Sequence, residues 1–345
     1  MLKKTLIGQG GIQGLDGEAH RHRKRMFMQL LDAGAVEELA GLTEQGWHRA
    51  IDNWQSCGDI CLLTEVQTIL TESVCRWAGV PLPAADLSGR RDQLATLIDG
   101  AGSLGARHWA ARKTRREADG WARQLVEQVR DGQLQAEPAK PLMVVAHYRD
   151  PDGSVLDSHV AAVELLNLLR PTVAVSYFII YGALELLAHP QWRERLRSDD
   201  SMLEPFAQEV RRLHAFFPFA AARVRQGFDW QGFHFPAGTR VLLDLWGTNR
   251  EARHWQAAEA FDPERFVNWR GAAFSFVTQG GGDPAEGHRC PGERLAIELL
   301  KVALRMLTGA MEYAVPAQDL RLDLSRMPAK PNSGLVVSDV RRAAC

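Results

Sequence analysis

The chain has 345 residues, of which 46% are hydrophobic and 24% charged, and a formal net charge of −1 at pH 7. Such a composition is globular and ample for a large core, and nothing in the charge balance points to a nucleic-acid partner. The five cysteines, Cys57, Cys61, Cys75, Cys290 and Cys345, form no disulfide framework, so a reducing, cytoplasmic setting is expected.

The start, MLKKTLIGQGG, has no apolar run long enough for a signal peptide or anchor. Residues 1–17 read as a Gly-rich loop; Gly8, Gly10, Gly11 and Gly14 lack the GxGxxG spacing and the surrounding βαβ unit of a nucleotide loop. Asp16 or Gly17 can cap a following helix that carries His20, Arg21, His22, Arg23, Lys24 and Arg25, by itself a solvated basic face. Residues 35–130 read as a series of amphipathic helices, broken near Gly79–Pro83 and at 100–105, and 131–141 as a surface loop. Cys57 and Cys61 are spaced for one helix face and lack His or Cys partners, which makes them packing residues.

Residues 159–189 form a long helix, apolar nearly all round, as in the centre of a protein. Its longest uninterrupted apolar stretch, Thr172–Leu184, falls short of the roughly 20 residues that span a bilayer. Arg170 and Pro171 interrupt its middle. A proline there kinks a helix, and a guanidinium in apolar surroundings needs a partner. That partner is either Glu164 or another carboxylate of the chain, in a structural ion pair, or a substrate carboxylate held by the planar fork. Glu209 and Arg212 share a helix face, FDPERF follows at 261–266, and the segment between alternates apolar and polar residues about QG and AG turns, as a small β-sheet does. Phe216–Phe219 and Ala220–Ala222 precede that sheet and are candidate pocket-lining or core residues. SGLVVSDVRR reads as a last strand.

The stretch FSFVTQGGGDPAEGHRCPGERLAIELLK, Phe274–Lys301, carries the chemistry. Apolar residues at 295, 296, 299 and 300 mark a helix, and Pro291 suits its first turn. Cys290 therefore sits just before a helix N-terminus, where dipole and free N–H groups favour a thiolate, and glycines let backbone approach the sulfur. The residues alone allow a buried structural cysteine or a metal ligand. No second cysteine or CxxC lies nearby to make a zinc site, and a thiolate as sole protein ligand points to haem iron.

The cysteine loop, together with Glu209-x-x-Arg212 and Arg265 of PERF, resembles the haem-binding signature of the cytochrome P450 family. The usual loop has a phenylalanine seven positions before the cysteine and a glycine four before. Here those positions hold Asp283 and Glu286, and the longer GGGDPAEGHRCPGE form is similar to the hydrogen-peroxide-using fatty acid peroxygenase branch. Arg170-Pro171, in place of the acid–alcohol pair that delivers protons to bound dioxygen, resembles the same branch. The resemblance runs from about Thr5 to Arg341. It implies a mainly α fold with a small β region, 1–345 being one P450-like haem domain without the N-terminal helices and strands that P450 chains normally carry.

It further implies haem b with Cys290 as the axial ligand, Arg289 and Gly292 beside it, and His20 and Lys24 facing the haem propionates. Glu209, Arg212 and Arg265 become a scaffold ion-pair network. The expected substrates are a fatty acid and hydrogen peroxide, with no reductase required and no membrane span. Oxidation at the alpha or beta carbon follows, with decarboxylation to a terminal alkene as the variant outcome. Catalytic positions are Arg170, Pro171 and Gln13. In the family the Gln13 position is Gln in hydroxylating members and His in strong decarboxylating ones; on the residues alone, Gln13 is a solvent-facing loop amide. Ile7 stands where the family has an aromatic that packs on the haem, a departure that bears on pocket shape. Two alternatives remain at this point: a redox-partner-dependent P450 monooxygenase, and a truncated, non-catalytic haem- or fatty-acid-binding protein.

Overall fold

The computed structural model describes residues 4–343, so Cys345 lies outside the described residues. Eleven α-helices are found among them. The basic segment forms α1 (Gly17–Leu30), followed by α2 (Ala33–Trp54), α3 (Leu62–Ala78), α4 (Leu87–Asp99), α5 (Gly105–Arg130) and α6 (Pro141–His147). The breaks fall where the glycines and prolines put them. Gly79 closes α3 in the left-handed region at φ 72°, which favours glycine. Cys57 and Cys61 share no helix: α2 ends at Trp54, Cys57 lies in the turn beyond it, and Cys61 belongs to strand β1 (Ile60–Cys61).

The central helix is α7, Ser158–Ala188, capped by Asp157, whose carboxylate accepts from His159 N–H at 2.9 Å. It packs against α3, α4, α5 and, from the far side, α11 (Glu293–Arg305). The helix runs continuously through Arg170 and Pro171, as the single long helix expected over 159–189. It is also long and apolar enough to cross a membrane, more than the Thr172–Leu184 stretch implied, yet residues 161–170 and 172–183 are buried in the protein core.

After α7 come α8 (Gln191–Ser198), α9 (Leu203–Leu213) and the short α10 (Leu245–Thr248). The β content is small and split. Strand β2 (Phe219–Arg223) pairs antiparallel with β5 (Arg240–Asp244). Strands β3 (Phe228–Trp230) and β4 (Phe233–Phe235) form a tight hairpin about Gln231-Gly232, both at positive φ, the twist that suits a two-residue turn. The last strand, β7 (Val336–Arg342), lies between β1 and β6 (Met311–Ala314). Phe219 and Ala220–Ala222 are thus strand residues rather than a prelude to the sheet.

Candidate active site

Cys290 sits on a loop that turns sharply before α11. Gly280 has φ 100°, and a Cβ there would lie 3.1 Å from the Cα of Arg289, so only glycine lets the two strands of the loop close this far. The Cys290 N–H donates to the Gln279 carbonyl at 3.0 Å. Gly292 caps α11, and Pro291 lies in the turn ahead of the cap rather than in the first helical turn. The thiol is pushed up by burial, with the Glu293 carboxylate adding to it, while the Gly292 N–H, Lys24 and Gln279 pull it down. The helix N-terminus therefore does not win by itself. Desolvation opposes it and sets the upward direction.

A charged frame braces this loop. Arg211, fully buried at the end of α9, donates to Glu293 at 2.5 Å, to Thr278 at 2.8 Å and to Gln279 at 2.9 Å. Arg289 Nε meets the other oxygen of Glu293 at 2.6 Å. Lys24, 1% exposed on α1, reaches the loop from the other side, its ammonium donating to the carbonyls of Gly287 at 3.1 Å and Arg289 at 2.5 Å. His20, one turn earlier, packs against His288 with ring centroids 4.1 Å apart and the rings tilted by 37°; burial, then the neighbouring His288 and Lys24, lower its pKa. Lys24, His20, Arg289 and Cys290 are thus brought together. The sequence pointed to each of these four but missed Arg211, which no motif spacing marks.

Opposite this loop stands the middle of α7. Glu164 is fully buried and committed: it accepts from Arg23 at 2.7 Å, from the Ile12 N–H at 2.9 Å and from Asn167 at 2.9 Å. Arg23 in turn meets Asp150 at 2.7 Å. The ion pair between Arg170 and Glu164 considered from the sequence is therefore not formed. Among the described residues no carboxylate lies within ion-pair distance of Arg170, whose guanidinium donates to the Leu6 carbonyl and to Asn167 Oδ1. Burial, and then the nearby Arg115 cation, depress it to about 9 from the usual 12.5. Gln13, expected in a loop, lies exposed in a 3-10 turn (Ile12–Gly14), and its Oε1 accepts from Asn167 at 3.2 Å, so Asn167 touches both Gln13 and Arg170. Thr172, just beyond Pro171, spends its hydroxyl on the Leu168 carbonyl.

The scaffold pair is formed. Arg212 meets both oxygens of Glu209 at 2.7 Å, both residues fully buried, and Arg265 approaches the same carboxylate at 3.2 Å. A cavity of about 720 Å³ is lined by Ser103, Tyr181, His214, Phe216, Phe219 and others, but by neither Arg170 nor Cys290.

Comparison with known proteins agrees with this geometry. The cytochrome P450 family model matches residues 184–327. A solved structure of a variant of cytochrome P450SP alpha (CYP152B1) superposes with a TM-score of 0.96 at 45% identity, covering 99% of this chain and 84% of that one. Cytochrome P450EX alpha (CYP152N1), solved with myristic acid, gives 0.94 at 39% identity, covering 99% and 82%. Among curated sequences, a costunolide synthase of Lactuca sativa is 28% identical over 48% of this chain, which spans only 37% of that relative's length. A mainly helical fold with a lone thiol presented ahead of α11 is that of a haem-thiolate protein. The chain belongs to the cytochrome P450 family, in its CYP152 branch of fatty acid peroxygenases.

The residues present fit a haem. No group of three or more His, Cys, Asp and Glu side chains capable of holding a metal ion is found among the described residues, so the lone thiol of Cys290 is the donor offered. Lys24 braces the loop through the Gly287 and Arg289 carbonyls, and Arg289 pairs with Glu293.

Proposed function

We propose that this protein oxidises fatty acids with hydrogen peroxide at the alpha or beta carbon, without a reductase. One observation carries the reading: Arg170 is a buried cation with no carboxylate partner among the described residues, while the acidic residue closest to it in sequence on α7, Glu164, is wholly occupied by Arg23, Asn167 and the Ile12 N–H. A buried charge of this kind calls for an opposite charge from outside the chain, and a planar guanidinium matches a carboxylate.

Cys290 would hold haem b, with Lys24, His20 and Arg289 toward its carboxylates; the thiolate-ligated iron, when bound, favours cleavage of an O–O bond. The chain's own residues do the rest. Arg170 fixes the acid head, which sets the carbons next to the carboxylate, rather than the far end of the chain, nearest the reacting centre. No acid–alcohol pair stands at Arg170-Pro171 and Thr172 is tied to Leu168, so the carboxylate held at Arg170 is the group left to take and return the peroxide proton. The overall change balances as R–H plus hydrogen peroxide giving R–OH plus water. The peroxide is itself the two-electron oxidant, already at the reduction level to which a reductase would bring dioxygen, which is why no reductase enters. The solved relative bound to myristic acid shares 39% identity and supports a fatty acid as ligand class.

The test is to incubate haem-loaded protein with myristate and peroxide and analyse products by gas chromatography. Hydroxy acids oxidised at the alpha or beta position are expected. Turnover only with NAD(P)H and a reductase would point instead to an ordinary monooxygenase.

A further inference from the structure

The loop before α1 is held to the rest of the protein by two buried arginines that meet at one atom. Arg170 of α7 and Arg115 of α5 both donate to the carbonyl oxygen of Leu6, Arg115 at 2.7 Å. Arg115 is 2% exposed and is anchored by Asp119, one turn further along α5, at 2.6–2.8 Å. Gly8, at φ 91°, lets the loop come this close: a Cβ there would lie 2.4 Å from the Arg115 guanidinium. The two cations differ in one respect. Among the described residues Arg115 has its own carboxylate and Arg170 has none, so a carboxylate arriving at the site is drawn to Arg170.

That arrival has a consequence for Leu6. A carbonyl oxygen has two lone pairs and here accepts two donors. When Arg170 turns to a carboxylate it leaves this oxygen, and a buried acceptor without any partner opposes the change. Arg115 removes that opposition, because it stays on Leu6 while Arg170 is released. The same bond seats the loop that carries Ile7 and Gln13.

We infer that Arg115 is a positioning residue of the carboxylate site: it retains the Leu6 carbonyl so that Arg170 can exchange it for the acid head of the substrate. This rests on the reading of Arg170 as the carboxylate anchor. Glu164 secures the other end of the loop through the Ile12 N–H but touches neither guanidinium group at Leu6, which is why the role falls to Arg115.

The experiment compares haem-loaded wild type, Arg115→Leu, Arg115→Lys and Arg170→Leu by calorimetric titration with myristate and with 1-tetradecanol, alongside KM and kcat for peroxide-driven oxidation of myristate. Arg115→Leu is expected to weaken myristate about tenfold or more, the loss that follows a charge-assisted hydrogen bond, with the uncharged alcohol within about twofold of wild type. KM should rise by a similar factor while kcat changes little. Arg115→Lys keeps a cation for Asp119 but cannot fork to Leu6 as well, so myristate should still weaken by about threefold or more. If Arg115→Leu fails to hold haem, Arg115→Lys decides. Myristate binding as in wild type, or equal weakening of both probes, overturns the inference, since equal weakening means lost packing only. Arg170→Leu separates the two readings. Myristate retained in Arg170→Leu removes the anchor itself; myristate lost there but kept in the Arg115 variants removes only the role of Arg115.

Discussion

Replacing Arg170 by leucine should abolish fatty acid binding and at the same time raise the melting temperature. The guanidinium is buried with no carboxylate beside it among the described residues, and its pKa of about 9 against the usual 12.5 reflects how strongly burial disfavours the charge. At about 1.4 kcal/mol per pKa unit this is roughly 5 kcal/mol, an upper limit on what the chain loses by holding the cation. Apolar replacement of buried ionic groups yields about 1–4 kcal/mol, and Asn167 Oδ1 loses a donor worth about 1 kcal/mol, so a net gain of about 1–3 kcal/mol is expected. That corresponds to a few degrees in melting temperature. The sign with pH follows from a cation whose folded pKa is depressed. Its destabilising effect is present in full at every pH below about 9 and fades as pH rises from there toward 12.5, so the advantage of Arg170→Leu should shrink above pH 9. Myristate affinity of the wild type should fall over the same range, as the guanidine of the free protein loses its proton. The assay is thermal melting of haem-loaded protein with and without myristate, from pH 7 to pH 10. A variant that melts several degrees lower and still binds myristate would show that Arg170 is a structural charge, and the anchor reading would fail.

Cys290→Ser should remove the thiolate signature from the spectrum of the reduced carbon monoxide complex; a retained signature would mean another residue ligates the iron. Glu209→Ala leaves Arg212 and Arg265 without their shared carboxylate and should destabilise the protein by about 3–5 kcal/mol, read as a lower melting temperature and reduced haem content, whereas an unchanged melting curve would remove the network from the scaffold. Gln13→His should raise the alkene fraction formed from myristate and peroxide, because an imidazole placed beside Asn167 can exchange a proton near neutral pH and an amide cannot. Mainly alkene from the wild type would show that residue 13 does not set the outcome.

Several features were legible in the residues because they are local. The loop around Cys290 combines glycines, a cysteine and a helical period within thirty positions, and Glu209 lies one turn from Arg212. The long apolar segment likewise marks α7 as the central helix. Spacing along one segment carries such information because helix geometry converts it directly into a shared face. Other features depend on which distant segments meet. Whether Arg170 pairs with Glu164 was open in the sequence, and it was closed by Arg23, 141 positions from Glu164, occupying that carboxylate first. The upward push on the Cys290 thiol comes from desolvation by the segments packed around its loop, which opposes the helix terminus that the sequence could indicate. Arg115 and Leu6 are 109 positions apart and neither belongs to any motif, so their bond exists only once α5, α7 and the N-terminal loop have packed together. Local chemistry was therefore written in the order of the residues, while the pairing of buried charges was decided by the tertiary structure, since each charge takes the nearest partner that folding brings to it.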